Sequence, residues 1–445
     1  MIVGKVHISE VLGIRYDNSY VLYHHRLFSY RYPIKPLRSL LITKPQYGSS
    51  EAGIPREDDR SPRYIRITDI DKNGFLIDNI GVSANNVEEK FFLQDNDILI
   101  ARSGNTVGKS YIHKIDQVPY SCFYAGYLIR FKIDSRLVLP DYIYVFTKLS
   151  VYQDWVNVTQ RVTGQPNINA EEYGNMPIPI PPINIQRKMV KIYYEAQNAV
   201  LKQNEEAKQS LRNIEDYLVE VLKIGKVPAY NNPKVNAKQN ISSIIGGSFN
   251  PLQFHPERID MMKRVQQGSW CKLKDVVWNV KTTVSKIVQG AIYIGLENVD
   301  GSTGEYIPSE EKESVSSAGV FKDGNILFPK LRPYLNKVYR VRFAGCCSTE
   351  FHVFEAHDIN PDYLTIILRS NIILAQTKHL MTGNTLPRLQ TADINNLVIP
   401  YPDAVVQNEI VDYISNIKQQ VNKLQENGNS LLDVTKRKIE KLIIK

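Results

Sequence analysis

Two hydrophobic patterns alternate along the chain. Short apolar runs rich in β-branched and aromatic residues, such as DILIAR (97–102) and HVFEA (352–356), are separated by Gly, Asn, Asp and Pro. Such runs predict β-strands. After a Pro-rich segment in each half, apolar residues recur three and four positions apart, which predicts an amphipathic helix. The sequence therefore predicts a mixed α+β (α/β) fold in which two globules are each followed by a long helix, with shorter helical segments near 141–155 and 362–380.

The two halves of the chain are copies of one another. The region that begins with DNDILIAR (95–102) corresponds to the region that begins with DGNILFPK (323–330). Farther along, matching positions at an offset of 221 residues are Ile178 with Ile399, Pro179 with Pro400, Gln186 with Gln407, and Val190 with Val411. A repeat of this length is too long for a solenoid and predicts a duplicated pair of domains. The alternative is a chance match between Ile-Pro-rich segments.

Each long helical segment carries one apolar seam, which slips by a register in the first copy. The predicted seam residues are Ile185, Met189, Ile192, Leu211, Ile214 and Leu218 in the first segment, and Ile410, Ile414, Ile417, Val421, Leu424 and Leu431 in the second. A single stripe has nothing to pack against on an isolated helix, so we expect the two helices to pack on each other as a coiled coil. The pair is antiparallel if a pseudo-two-fold axis relates the halves. The alternative is that each helix folds onto its own globule.

These patterns divide the chain into five segments. The stretch before residue 251 is rich in Gly, Pro, Asn and Ser, which is typical of a linker. The predicted segments are a first globule at 1–182, a first helix at 183–224, a linker at 225–250, a second globule at 251–402 and a second helix at 403–445.

Composition narrows the class of protein. Lys and Arg outnumber Asp and Glu by 55 to 46, a net charge of +9 that is compatible with a polyanionic partner without requiring one. Neither the 4 cysteines nor the 8 histidines have the spacing of a zinc site, so we expect no metal. The N-terminus lacks the apolar core of a signal peptide, and no stretch reaches the roughly 18 apolar residues of a membrane span. We therefore expect a cytoplasmic protein without membrane contact.

Two sequence blocks resemble the specificity subunits of Type I restriction–modification enzymes. They are TGQPNI followed by MPIPIPPINIQRKMV, and TGNTLPRL followed by LVIPYPDAVVQNEIV. The second block departs from the family in lacking a second Pro-Pro and a basic residue after Gln407. The resemblance covers nearly the whole chain.

The resemblance implies a division of labour within the chain. Each globule would be a target recognition domain that reads one part of an interrupted, asymmetric site in double-stranded DNA. The helices would set the spacing and dock methyltransferase subunits, two of them, in a complex that also contains restriction subunits. A subunit of this kind carries no catalytic residues and no cofactor.

Two hairpins supply the first candidates for DNA contact. The first hairpin (97–113) offers Arg102, Ser103, Asn105, Thr106, Lys109 and Ser110. The second hairpin (325–341) offers Lys330, Arg332, Tyr334, Asn336, Lys337 and Arg340. Arg and Asn make bidentate contacts with guanine and adenine edges, whereas Lys, Ser and Tyr commonly contact phosphate. The alternative for any one of these residues is a solvated polar turn.

Two loops just before the long helices supply the second candidates. The first loop (163–167) contains Gln165 and Asn167, and the second loop (382–388) contains Asn384 and Arg388. Their glycines allow close backbone approach, and these four side chains can read base edges. The alternative is a structural turn that precedes each helix.

Signals for an enzyme are weak. SGNTVGKS (103–110) has three residues between its glycines, whereas a phosphate-binding loop has four. NMPI (175–178) does not match the motif of an adenine methyltransferase. Three alternatives stay open: a coiled-coil adaptor that does not bind DNA, the specificity subunit of a modification-only complex, and an enzyme with a cryptic nucleotide or metal site.

Overall fold

The computed structural model describes residues 30–71, 73–77, 79–160, 165–225, 251–287, 290–308, 317–380 and 387–445. Two compact units make up the chain. The first unit is Met1–Asn204 with Gln425–Lys445, and the second unit is Glu205–Leu424. The predicted linker lies outside the described residues except for Gly225.

Ten short strands and three short helices form the described body of the first unit. The strands are β1 Ile34–Pro36, β2 Gln46–Tyr47, β3 Ile54–Pro55, β4 Arg63–Ile65, β5 Val82–Ser83, β6 Ile98–Ala101, β7 Ser110–Ile112, β8 Cys122–Tyr124, β9 Leu128–Phe131 and β10 Pro177–Pro179. The helices are α1 Pro140–Phe146, α2 Ser150–Thr159 and α3 Ala170–Gly174, and they precede the long helix α4 Ile183–Val221.

The described body of the second unit repeats this inventory with one additional helix at its start, α5 Pro256–Val265. Its strands are β11 Trp270–Lys272, β12 Val277–Val280, β13 Thr283–Val284, β14 Tyr293–Ile294, β15 Ala318–Phe321, β16 Ile326–Pro329, β17 Tyr339–Arg340, β18 Gly345–Ser348, β19 Phe351–Ala356 and β20 Val398–Pro400. The remaining helices are α6 Pro361–Arg369, α7 Asn371–Thr377, α8 Thr391–Asn395 and the long helix α9 Ala404–Ile443.

The strand order confirms the predicted fold class. A four-stranded sheet has the order β2-β9-β6-β7 in the first unit and the matching order β12-β19-β16-β17 in the second. The two predicted hairpins are the antiparallel pairs β6–β7 and β16–β17. The matched Ile-Pro segments also pair alike, since β10 pairs with β1 and β20 pairs with β11.

The apolar runs of the central strands are continuous because both faces of each sheet are covered. In β6, Ile98 and Ile100 join the core that contains the helices, while Leu99 joins a second core on the opposite face. In β16, Ile326 and Leu327 divide between two cores in the same way. Burial on both faces is the condition under which a strand lacks polar alternation.

The two long helices pack on each other within each unit. The contacts in the first unit join Met189, Tyr193, Ala196 and Val200 of α4 to Leu432, Ile439 and Ile443 of α9. Those in the second unit join Ala207 and Leu218 of α4 to Ile410, Ile414, Ile417 and Val421 of α9. Residues of increasing number along α4 thus contact residues of decreasing number along α9, which confirms the predicted antiparallel coiled coil. Neither these helices nor the other described ones have the length and apolarity to cross a bilayer.

The observed seam differs from the predicted one in both helices. Leu431 is 36% exposed, whereas its neighbour Leu432 is 3% exposed and packs in the seam. The register slip predicted for α4 alone occurs in both helices. In α4 the seam passes from Gln203 to Ala207 to Leu211, and in α9 from Leu424 to Gly428 to Leu432, each time at a spacing of four residues. An α-helix has 3.6 residues per turn, so a strict seven-residue repeat drifts off the contact line and a step of four plus four restores it. Tyr193 is also buried more deeply than the predicted Ile192.

The repeated glutamine binds the start of each long helix to the globule that precedes it in the sequence. Gln186 donates to the carbonyl of Pro181 at 2.9 Å and accepts from the amide of Leu139 at 3.0 Å. Gln407 donates to the carbonyl of Pro402 at 2.8 Å and accepts from the amide of Asn360 at 2.9 Å. Both glutamines are buried. Since buried polar groups need partners, this pair of bonds explains why Gln recurs at the start of each helix.

Candidate nucleic-acid interface

In each unit the hairpin turn meets the loop that precedes the long helix. In the first unit the amide of Gly104 donates to the carbonyl of Pro166, and the amide of Ile168 donates to the carbonyl of Arg102, both at 2.9 Å. In the second unit the equivalent bonds run from Arg332 to Pro387 at 2.9 Å and from Leu389 to Lys330 at 3.0 Å. Two candidate segments that are separate in sequence therefore form one continuous surface in each unit.

The surface of the first unit presents amide groups beside a guanidinium and aromatic rings. Asn105 and Gln165 are exposed, and a Cβ on Gly104 would lie 3.3 Å from Nε2 of Gln165. The half-buried guanidinium of Arg102 lies over the ring of Tyr47, 4.9 Å from its centroid. Tyr127, which is 64% exposed, accepts a hydrogen bond at its carbonyl from the amide of Arg102 at 3.0 Å. Such a group combines base-edge donors and acceptors with stacking faces.

Sequence reasoning missed the two tyrosines of this surface. Tyr47 lies on β2 and Tyr127 on the turn between β8 and β9, so neither belongs to the hairpin or the loop. The turn sequence YAGY places an aromatic residue after a glycine, which was the available signal. Tyr47 also accepts at its hydroxyl from the amide of Ala170 at 3.0 Å, which fixes the ring beneath Arg102.

Several first-hairpin candidates are engaged with the protein and must be reassigned. Ser110 is buried, and its hydroxyl lies 2.6 Å from that of Thr147. Ser103 is also buried and lies in the backbone bridge to the half-buried Asn167. These serines are not available to DNA, because the turn curls back onto α1 and onto the loop. Thr106 is half-buried at the edge of the surface.

A basic cavity of about 430 Å³ opens beside the exposed turn of the first hairpin. Asn105 and Thr106 line its outer edge, and Lys109, Lys148 and Lys436 line its walls. Burial lowers the pKa of Lys148 to about 7 and also lowers the pKa of Lys109. The described lining residues include no carboxylate, so an anion that entered the cavity would favour the charged form of these lysines.

Lys109 and Lys337 hold equivalent positions in the two units. Nζ of Lys109 donates to the carbonyl of Ile67 at 3.1 Å, and Nζ of Lys337 donates to the carbonyl of Leu296 at 2.7 Å. Both carbonyls belong to the first residue of a short 3₁₀ helix. The two lysines therefore tie the hairpin to the body of the unit, a positioning role that the sequence pattern alone did not separate from phosphate contact.

The surface of the second unit differs in its chemistry. Arg332 and Tyr334 are exposed. Arg332 and Asn336 have positive φ angles of 47° and 54°, which turn the backbone sharply around Pro333. Asn336 donates through Nδ2 to the carbonyl of Arg369 at 2.8 Å, so its amide stabilises the turn. An arginine and a tyrosine thus stand where the first unit has amides.

The remaining predicted residues of the second unit make protein contacts. Arg388 forms a two-bond ion pair with Glu350, at 3.0 and 2.7 Å, and these bonds lower the pKa of the Glu350 carboxyl. Lys330 donates to the carbonyl of Thr349 at 2.7 Å, and Arg340 pairs with Asp362. Through these contacts Arg388, Lys330 and Arg340 stabilise the structure of the surface. The predicted Asn384 lies outside the described residues.

A pair of half-buried cations behind the hairpins was also missed from the sequence. Lys148 donates to the carbonyl of Ser110 at 2.8 Å. At the matching position Arg369 donates to four carbonyls, those of Gly301, Ser302, Asn336 and Val338, at 2.7 to 3.2 Å. Burial lowers the pKa of Arg369 to about 10. The signal was present, because the two positions are related by the same offset of 221 residues.

Comparison with known proteins decides the family. Residues 55–213 and 334–432, together more than half of the chain, match the family model for the Type I restriction modification DNA specificity domain. The chain belongs to this Type I DNA specificity family. It is a specificity subunit with two recognition domains. The predicted resemblance is thereby confirmed.

Named relatives carry the same description. The Type I restriction enzyme MjaVIII specificity subunit of Methanocaldococcus jannaschii is 19% identical over 364 residues, covering 80% of each protein. The EcoDI specificity subunit of Escherichia coli is 27% identical over 143 residues, which is 31% of this chain and 32% of the relative. The StySPI specificity subunit of Salmonella potsdam is 28% identical over 210 residues, covering 46% and 43%.

Solved structures from Type I restriction–modification systems align over most of the length. One, described as the structural basis of complex assembly and conformational transition of the type I R-M system, matches 92% of this chain and 97% of its own, with a TM-score of 0.45 and 14% identity. The HsdS subunit from Thermoanaerobacter tengcongensis covers 92% and 96%, with a TM-score of 0.32 and 14% identity.

Proposed function

We propose that this specificity subunit reads a bipartite, asymmetric target in double-stranded DNA, one part with each recognition domain. The observation that carries the proposal is the pairing of hairpin turn and loop into one polar surface in both units. A duplicated surface fits a target with two separate parts. Gln165 and Asn105 are the base-reading candidates of the first surface, and Arg332 and Tyr334 are those of the second.

The different chemistry of the two surfaces supports an asymmetric target. Asn and Gln side chains pair best with the adenine edge, and Arg pairs best with the guanine edge. The first surface presents Asn105 and Gln165, whereas the second presents Arg332. We therefore expect the two parts of the target to differ in sequence, with at least one guanine in the part that the second domain reads.

The long helices are proposed to set the number of unread base pairs between the two parts. Helix α4 has 39 residues and α9 has 40, and each connects directly to a recognition domain through its buried glutamine. Half-sites on one face of B-DNA repeat at about 34 Å, one helical turn. A change in helix length would therefore change the gap in the target.

The helices are also proposed to bind the catalytic partners, two methyltransferase subunits, in a complex with restriction subunits. Both helices carry exposed apolar side chains, including those of Leu201 of α4 and of Val405 and Val434 of α9. Such side chains can contribute to a surface that binds a protein partner. In this role the chain itself has no catalytic function and no cofactor of its own, and a modification-only complex would use it in the same way.

A methylation map of the source genome, with this gene intact and deleted, tests the proposal. We expect one interrupted motif to lose its methylation on deletion. If every motif stays methylated although the operon is expressed, the chain does not direct a methyltransferase, and the adaptor alternative takes its place.

A further inference from the structure

A cluster of metal-ligating side chains lies in the second unit, away from the proposed DNA surface. His255 precedes α5, Glu257 lies in the first turn of α5, and His379 follows α7. One ligand atom from each of the three residues lies within 4.8 Å of the other two. Since the two segments are separated by more than a hundred residues, no local spacing in the sequence reveals the cluster.

The three side chains already make close contacts. Nε2 of His379 lies 2.9 Å from Oε2 of Glu257, a hydrogen bond that coordination of a cation by the same two side chains would replace. The rings of His255 and His379 stack with centroids 3.4 Å apart and an angle of 11° between their planes. The side chains of Glu257 and His379 are 14% and 20% exposed, so both are largely shielded from solvent and yet reach the surface.

The backbone on both sides of the cluster is held by packing. Helices α5 and α7 share a buried core that includes Met261, Val265, Ile372 and Ile373. Leu380, next to His379, is 1% exposed. The packing of these two helices therefore fixes the backbone on either side of the three side chains.

Lys378 supports and opposes a cation at the same time. Its Nζ lies 2.6 Å from Oε1 of Glu257, leaving Oε2 for the cluster. A ligating carboxylate that is itself hydrogen-bonded is the usual second shell of a metal site. The positive charge of Lys378 nevertheless weakens the attraction for a cation.

We propose that His255, Glu257 and His379 form a three-ligand site for a late first-row divalent cation, Zn²⁺ in the first instance. Two imidazoles and one carboxylate are ligands that this class of metal prefers, and three protein ligands leave a fourth position for water. Binding requires the His255 ring to leave its stack on His379 and to give up its 3.3 Å contact with the amide of Glu257. A bound metal ion would link His255, at the start of α5, to His379, just after α7. This inference is independent of the proposed function.

Equilibrium dialysis of the full-length chain against Zn²⁺ tests the site. We expect one Zn²⁺ per chain, an affinity at least about tenfold weaker in Glu257→Gln, and loss of that Zn²⁺ in His255→Ala/Glu257→Gln/His379→Ala. The matched control is His357→Ala, because His357 stacks on Trp278 outside the cluster. Lys378→Met is expected to bind Zn²⁺ several-fold more tightly, since it removes the adjacent positive charge.

Thermal unfolding separates loss of the site from loss of the fold. Zn²⁺ should raise the Tm of the parent and of His357→Ala, and leave the Tm of the triple variant unchanged. Glu257→Gln has the same shape as the parent side chain, so it reports on the site even if the triple variant unfolds. Retention of the Zn²⁺ by Glu257→Gln at full affinity, or no bound Zn²⁺ in the parent, would overturn the proposal.

Discussion

The exposed amides of the first recognition domain and the exposed arginine of the second are the residues on which base reading depends in this account. Asn105 and Gln165 project from two segments that the backbone bonds Gly104–Pro166 and Ile168–Arg102 hold together. Because that frame is made of main-chain bonds, the side chains at its tip can change without disturbing the fold. Specificity is therefore expected to reside in few side chains.

Removing the amides should weaken discrimination rather than binding in general. For Asn105→Ala/Gln165→Ala we expect discrimination between the target and a single-base variant in its first part to fall by about 1–3 kcal/mol for each lost pair of base contacts. Fluorescence anisotropy of the assembled complex on the two DNA duplexes measures the difference. Asn427→Ala, an exposed amide on α9, is the control. Equal losses on all duplexes would assign the two amides to non-specific contact.

The cavity lined by Lys109, Lys148 and Lys436 predicts a contact with DNA phosphate, which would not depend on the base sequence. Lys436→Gln removes one of the three cations around the cavity and should weaken binding to every DNA sequence alike. If that lysine neutralises one phosphate, the slope of log affinity against log salt should fall in magnitude by about 0.9. Lys438→Gln, an exposed change of the same charge on α9, should leave the slope unchanged. A sequence-dependent loss in Lys436→Gln would contradict the phosphate assignment.

Lys148 makes stability depend on pH. Burial lowers its pKa from the usual 10.5 to about 7, so between these values the unfolded chain binds more protons than the folded chain. Its contribution to the free energy of unfolding therefore rises with pH from about 7 towards 10.5 and is lost as the pH falls through 7. Lys148→Met should lose this part of the pH dependence, whereas Lys438→Met should keep it. Tm values at pH 7 and pH 9 in parent and variants decide the matter, and parallel profiles would contradict it.

At the scale of elements, the seam of the coiled coil is the feature most open to test. Leu432 is buried against Ala196 and Val200, and its neighbour Leu431 is exposed. Leu432→Ala should lower the free energy of unfolding by about 2–5 kcal/mol, the range for a buried leucine, and Leu431→Ala by less than about 1 kcal/mol. Urea titration of the two variants compares them directly. A larger loss in Leu431→Ala than in Leu432→Ala would contradict the observed seam and support the seam predicted from the sequence.

The same elements show how far sequence reasoning extends. The hairpins, the repeated domains and the long helices follow from periodicity, because strands and helices impose their own spacing on apolar residues. The burial of Ser110 and the ion pair of Arg388 with Glu350 did not follow, because they depend on contacts between distant segments. The four-residue spacing from Gly428 to Leu432 was missed. Leu431, three residues after Gly428, continued the alternating spacing of four and three residues, and so it was predicted as the seam residue.

On the scale of the whole molecule, the two recognition domains share a frame and differ at its tip. The matched sheet orders, the buried glutamines and the lysine bonds to 3₁₀ helices preserve the frame after duplication. The exposed residues at the tips of the turn and loop differ, since the first domain presents Asn105 and Gln165 and the second presents Arg332 and Tyr334. A duplicated frame with diverged tips is the arrangement that an asymmetric two-part target requires.

The division of the target between the two domains is tested by a methylation map of strains that express the parent chain, Asn105→Ala/Gln165→Ala or Arg332→Ala/Tyr334→Ala. We expect one interrupted motif in the parent strain. The first variant should accept base changes on one side of the gap, and the second variant should accept them on the other side. An uninterrupted motif, or two variants that relax the same bases, would contradict the claim that each domain reads its own part of the target.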